Sequence, residues 1–170
     1  MKWIKEFCNG VKNHGEPNTW DVTLVTDMSK LFKQMVGFNA PIDQWNTKEV
    51  TNMCGMFFNA ISFNQPITMD TSQVTNMSGM FDNAKSFNQP ITMDTSQVTD
   101  MSGMFSGASS FNQPITMDTS KVTDMDGMFM NAKSFNQPIT MDTSKVTEMS
   151  AMFHGAKAMT HPKPFMLEVK

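Results

Sequence analysis

The sequence predicts an α/β solenoid: a right-handed coil with one short parallel strand and one short helix in each 24-residue repeat. Three observations carry that expectation. The ten residues FNQPITMDTS stand unchanged at 63–72, 87–96, 111–120 and 135–144, a spacing of 24 each time. A fixed period of this size marks units that stack because one unit alone cannot bury its apolar face. The segment after each block spaces its apolar residues by three and four, as a helical face does, while the end of each block alternates apolar with polar, as a short strand does.

The elements follow in order. Residues 1–19 form an N-terminal helical cap, with Trp3, Ile4, Phe7, Cys8 and Val11 as the apolar stripe that covers the first coil. Residues 20–157 are the repeat solenoid, about five and a half coils. Its register is set by Val25, Val50, Val74, Val98, Val122 and Val146, by Met28, Met53, Met77, Met101, Met125 and Met149, and by Phe32, Phe57, Phe81, Phe105, Phe129 and Phe153. Val74, Met77, Met80, Phe81 and Ala84 mark the helical face, with Thr75 as its N-cap. Asp27, Asp100, Asp124 and Glu148 follow that Thr in other coils, where a helix dipole favours a carboxylate. Gly55, Gly79, Gly103 and Gly127 fall inside this segment, so the helix is expected to be short or 3₁₀-like.

The strand is Ile91-Thr92-Met93-Asp94-Thr95, with Ile91 and Met93 inward and Thr92 and Asp94 outward. Pro90 lacks an N–H, so the strand begins after it. A strand and a helix in 24 residues describe a leucine-rich-repeat-like horseshoe. Residues 158–170 form a C-terminal cap, in which Phe165-Met166-Leu167-Glu168-Val169 adds a strand or lid after Pro162 and Pro164. Both caps answer the need of a stack to cover its terminal coils.

Composition narrows the function. The net charge is −3, and the 170 residues include no Arg, no Tyr and three His (His14, His154 and His161). Without a basic field or a bidentate guanidinium, nucleic-acid binding and phosphoryl chemistry are not expected. No apolar run reaches the roughly 18 residues of a membrane span. The opening MKWIKEFCNG has lysines but no apolar core, so it does not read as a signal peptide. That leaves an intracellular protein or one that begins after a removed leader. Cys8 and Cys54 are either a disulfide or two buried thiols.

The units Ser86-Phe87-Asn88-Gln89-Pro90-Ile91, Asp94-Thr95-Ser96-Gln97-Val98-Thr99 and Met101-Ser102-Gly103-Met104-Phe105 resemble the BspA-like repeat of bacterial, algal and mycoplasma-lipoprotein surface proteins. The likeness spans roughly residues 20–157. It implies a leucine-rich-repeat-like fold, adhesion or protein binding, and a cell-surface or secreted location. The chain departs from that family where Trp precedes the DTS motif: Trp20 and Trp45 keep it, whereas Met69, Met93, Met117 and Met141 replace it.

Candidate functional residues come from the repeated block. Asn64, Asn88, Asn112 and Asn136 are expected to form a structural ladder, bonding backbone of the neighbouring coil. Thr68, Asp70, Thr92, Asp94, Thr116, Asp118, Thr140 and Asp142 are the expected partner-binding face. Stacked carboxylates repel by roughly 1 kcal/mol at strand spacing, which something must offset. Either each Asp accepts amides of the following Thr-Ser turn, or the row meets Ca²⁺ or a basic partner. The Thr68 and Thr71 rows together offer a hydroxyl lattice of the kind that orders water or ice. The 20 methionines fall on inward positions and are expected to pack the core rather than hold copper. No metal, cofactor or catalytic constellation is expected, and the chain reads as no enzyme. The leading reading is a binding or adhesion module for a protein or glycan partner, and the alternative is an ion- or water-ordering solenoid.

Overall fold

The computed structural model describes residues 15–161, so the two sequence-predicted caps lie outside it except for residues 15–19, which include a 3₁₀ turn at Pro17–Thr19, and residues 158–161, which continue the last coil. The chain does stack its 24-residue units, yet the expected α/β architecture is not what it builds. The described residues contain neither an α-helix nor a named strand. Each unit is a coil of consecutive tight turns, and the polypeptide returns one level down the stack after every 24 residues.

The segment expected to be helical shows why. In the coil that starts at Thr51, the amides of Met53, Gly55, Phe57 and Asn59 donate to the carbonyls of Asn76, Ser78, Met80 and Asp82 in the next coil, at 3.0, 2.8, 2.8 and 2.8 Å. Between them, Met56, Phe58 and Ala60 donate three residues back, to Met53, Gly55 and Phe57. Alternate amides thus leave the coil and close local turns, where a helix would send all of them to the residue four before. The turns need left-handed backbone at two positions four residues apart, such as Gly79 (φ +56°) and Asn83 (φ +56°), or Gly103 (+58°) and Gly107 (+64°). Glycine takes that conformation without steric cost and Asn with little, whereas an α-helix cannot contain it. Turns of three to four residues reproduce helical spacing, and Val74, Met77, Met80, Phe81 and Ala84 are all fully buried.

The expected strand is corrected in the same way. Parallel bridges occur between coils, but one step after the Val-Thr pair: Asp27 to Asn52, Asn52 to Asn76, Asn76 to Asp100, Asp100 to Asp124 and Asp124 to Glu148. The carboxylates assigned to a helix N-terminus therefore sit on bridge residues, where the Asp27, Asp100 and Asp124 side chains accept the amide two residues on, at 2.7–2.9 Å. At 91–95 the side chains do alternate, Ile91 and Met93 buried and Thr92 and Asp94 exposed. The amides of Ile91, Thr92, Met93 and Asp94 donate to no backbone carbonyl among the described residues.

Two columns of rings run through the core and measure the stack. Phe32, Phe57, Phe81, Phe105, Phe129 and Phe153 follow one another at 5.3–5.6 Å between centroids. Phe38, Phe63, Phe87, Phe111 and Phe135 follow at 5.9–6.1 Å, and the two columns touch at 3.9–4.2 Å within a coil. Near-parallel rings at these distances add about 0.5–1.5 kcal/mol per pair beyond burial. The second column is the wider one and opens the FNQP block. Adjacent strands need about 4.8 Å to share backbone bonds, and on this side the coils are joined through side chains instead.

Candidate functional site

The side chains that join the coils are those of the repeated block. The Oδ1 of Asn39 accepts the amide of Asn64, Asn64 that of Asn88, Asn88 that of Asn112, Asn112 that of Asn136, and Asn136 that of Thr160, all at 2.8–2.9 Å. Gln65, Gln89, Gln113 and Gln137 each donate Nε2 to the backbone carbonyl of the Asn one coil earlier, at 3.0–3.2 Å. The hydroxyls of Thr47, Thr71, Thr95 and Thr119 donate to the carbonyls of Asp70, Asp94, Asp118 and Asp142, at 2.8–2.9 Å. These four Thr are buried, so Thr71, Thr95 and Thr119 of the second Thr row drop out of any surface lattice and serve the stack, while Thr143 of that row is half-buried.

What remains outside is a regular polar face. Thr68, Thr92, Thr116 and Thr140 are exposed, and beside them Asp70, Asp94, Asp118 and Asp142. Each Asp Oδ1 accepts the amide of the Ser two residues on (Ser72, Ser96, Ser120, Ser144) at 2.8–3.0 Å. That bond favours the carboxylate and lowers all four pKa values, chiefly through the Ser amide. The Asx turn thus supplies the offset that the acidic row needs, though Asp70 and Asp118 push Asp94 slightly the other way. No group of three or more His, Cys, Asp or Glu among the described residues is placed to hold a metal ion. At its upper end the face has a depression of about 300 Å³ lined by Pro41, Asp43, Gln65, Pro66 and Thr68.

A second concavity was not among the sites expected from the sequence. A groove of about 340 Å³ follows the left-handed glycines, with Gly55, Gly79 and Gly103 as its floor. Lys30, Lys33, Cys54, Phe58, Ser78, Asp82 and Ser102 line it. Cys54 is a free thiol whose sulfur accepts the Ser78 hydroxyl at 3.2 Å, and Cys8 lies outside the described residues. The Lys33 ammonium stands 5.1 Å from the Phe58 ring centre. Burial raises the pKa of Asp82, with a Ser106 hydrogen bond acting against it. The sequence signal for this groove is variability: once the units are superposed, the positions of Cys54 and Phe58, both in its lining, are among the few that change from coil to coil.

The family model described as "Mycoplasma protein of unknown function, DUF285" matches residues 2–93 and again 92–164. The chain belongs to this family. Two tandem matches over nearly the whole length establish a DUF285 repeat protein. No curated protein and no solved structure matches it. Among the described residues of this DUF285 chain, no helix is long and apolar enough to cross a membrane.

Proposed function

We propose that this DUF285 chain is a non-catalytic binding or adhesion module, with Thr68, Asp70, Thr92, Asp94, Thr116, Asp118, Thr140 and Asp142 as the contact face for a protein or glycan. The observation that carries this reading is the first Thr row. It is identical in every copy and exposed, yet of its four hydroxyls only that of Thr92 has a partner among the described residues, the carbonyl of Ile67 at 3.0 Å. Asn, Gln and the buried Thr are occupied by stacking, and this row is left over. A flat, mildly acidic lattice repeated along the coils suits an extended partner that is gripped at several levels, so that weak contacts sum through effective concentration. The BspA-like resemblance supports the same reading and, with it, a cell-surface or secreted setting.

The test is capture of candidate proteins and glycans by the intact chain and by the Asp94→Lys, Asp118→Lys double variant. The variant is expected to lose capture while keeping its circular dichroism and melting temperature. Undiminished capture by a folded variant moves the contact to another face.

A further inference from the structure

The two ends of the stack are complementary. Inside it, every coil gives four amides to the next and receives two in return, one at the Thr that opens the turn segment and one at the residue before the FNQP block. Met125, Gly127, Phe129 and Asn131 donate to Glu148, Ser150, Met152 and His154, and Thr147 donates back to Thr123. In the last coil, Met149, Ala151, Phe153 and Gly155 occupy the four donor positions and Thr147 the acceptor position. In the first, Asp27, Ser29, Leu31 and Lys33 occupy the four acceptor positions and Thr26 the donor position. Among the described residues, none of these ten backbone groups has a hydrogen-bond partner.

Donors therefore line one end and acceptors the other, in the register that five internal junctions already use. Unpaired backbone groups in a row are a template for another chain that carries the matching row. We propose that copies of this chain associate end to end, the Met149–Gly155 edge of one against the Asp27–Lys33 edge of its neighbour. Met149, Ala151, Phe153 and Gly155 donate to Asp27, Ser29, Leu31 and Lys33 of the second copy, and Thr26 of that copy donates back to Thr147. The contact is head to tail, so each added copy leaves a free edge for the next, and continuing the internal stacking step generates an open filament. It is independent of the Thr/Asp face, which such a filament would extend from copy to copy.

The internal junctions supply a specific test. Cys54 and Ser78 hold equivalent positions in adjacent coils, and their side chains meet at 3.2 Å. Ser150 and Ser29 hold that position at the two ends. In a Cys8→Ser, Cys54→Ser background, Ser29→Cys with Ser150→Cys is expected to give a ladder of covalent multimers on mild oxidation. Either substitution alone is expected to give no more than a trace of dimer, because the two cysteines must come from opposite ends. Sedimentation velocity of the unaltered chain, from micromolar to near-millimolar, is expected to show a mass that keeps growing past the dimer. Asp27→Lys, which would face Glu148 across the junction, is expected to lower the concentration at which growth begins. A monomer at every concentration, growth that stops at the dimer, or equal cross-linking by the single variants would overturn the proposal.

Discussion

One side of each coil is held to its neighbours by backbone, the other by side chains, and the sequence records the difference. From Thr75 to Asn83 the bonds between coils run from amide to carbonyl, and Ser78, Asp82 and Lys85 occupy positions where other coils carry Cys54, Phe58 and Ile61. From Phe87 to Ser96 the bonds run through Asn88, Gln89 and Thr95, and not one residue changes in four copies. A backbone bond is indifferent to the side chain beyond it, so the turn side varies freely wherever the residue points outward. A side-chain bond has one chemical solution at a given spacing. Identity of the block is therefore first a mark of how it stacks, and only the exposed Thr and Asp are left for a partner to read.

Both sides rest on the same stacked rings, and the largest loss is expected there. Phe105 touches rings above, below and beside it at 5.6, 5.6 and 4.1 Å. Phe105→Ala is expected to cost about 3–5 kcal/mol in urea unfolding, the usual range for emptying a buried ring position.

The two sides then separate. Asn112→Ala strands the Asn136 amide and removes the side-chain acceptor of Gln137 Nε2, which keeps the Asn112 backbone carbonyl, and is expected to cost about 1–3 kcal/mol. Ser109→Lys, on the turn side, copies the residue of neighbouring coils and is expected to stay within about 0.5 kcal/mol of the parent. Equal losses at the two positions would mean that side-chain and backbone bonds hold the coils alike.

Smaller effects test the turns. Ala151 holds a left-handed φ of +52° where four other coils have glycine. Ala151→Gly is expected to raise stability by about 1 kcal/mol, and Gly103→Ala to lower it by about as much.

Protonation should give the mildest signals, with opposite signs on the two sides. On the block side the folded-state pKa values of Asp70, Asp94, Asp118 and Asp142 lie below their unfolded values. Their contribution is present above the ordinary carboxylate value of about 3.9 and is lost as pH falls through the lowered one. An Asp94→Asn, Asp118→Asn variant is expected to show a shallower fall of the urea midpoint between neutral and acidic pH. On the groove side the pKa of Asp82 is raised, so its ionisation opposes folding as pH rises. Asp82→Asn is expected to raise the melting temperature at neutral pH and to leave it unchanged in acid.

Much of the molecule was legible because stacking repeats a few physical demands 24 residues apart. The register of the coils, the Phe and Met rows of the core, the Asn ladder and the outward Thr and Asp could all be read from the residues alone. Each of these follows from side-chain chemistry and spacing. The sequence could not say where the backbone bonds go. Apolar residues three and four apart describe a helix or a run of tight turns equally well, and only the left-handed φ at Gly79 and Asn83 decides for turns. Alternation at 91–95 likewise describes a strand in its side chains without its ladder. The tertiary structure also decided that Thr95 lies inside while Thr92 lies outside, because the neighbouring Asp118 carbonyl is there to receive the Thr95 hydroxyl. Bonds between levels of a stack depend on the distance between levels, and that distance is a property of the assembled coils.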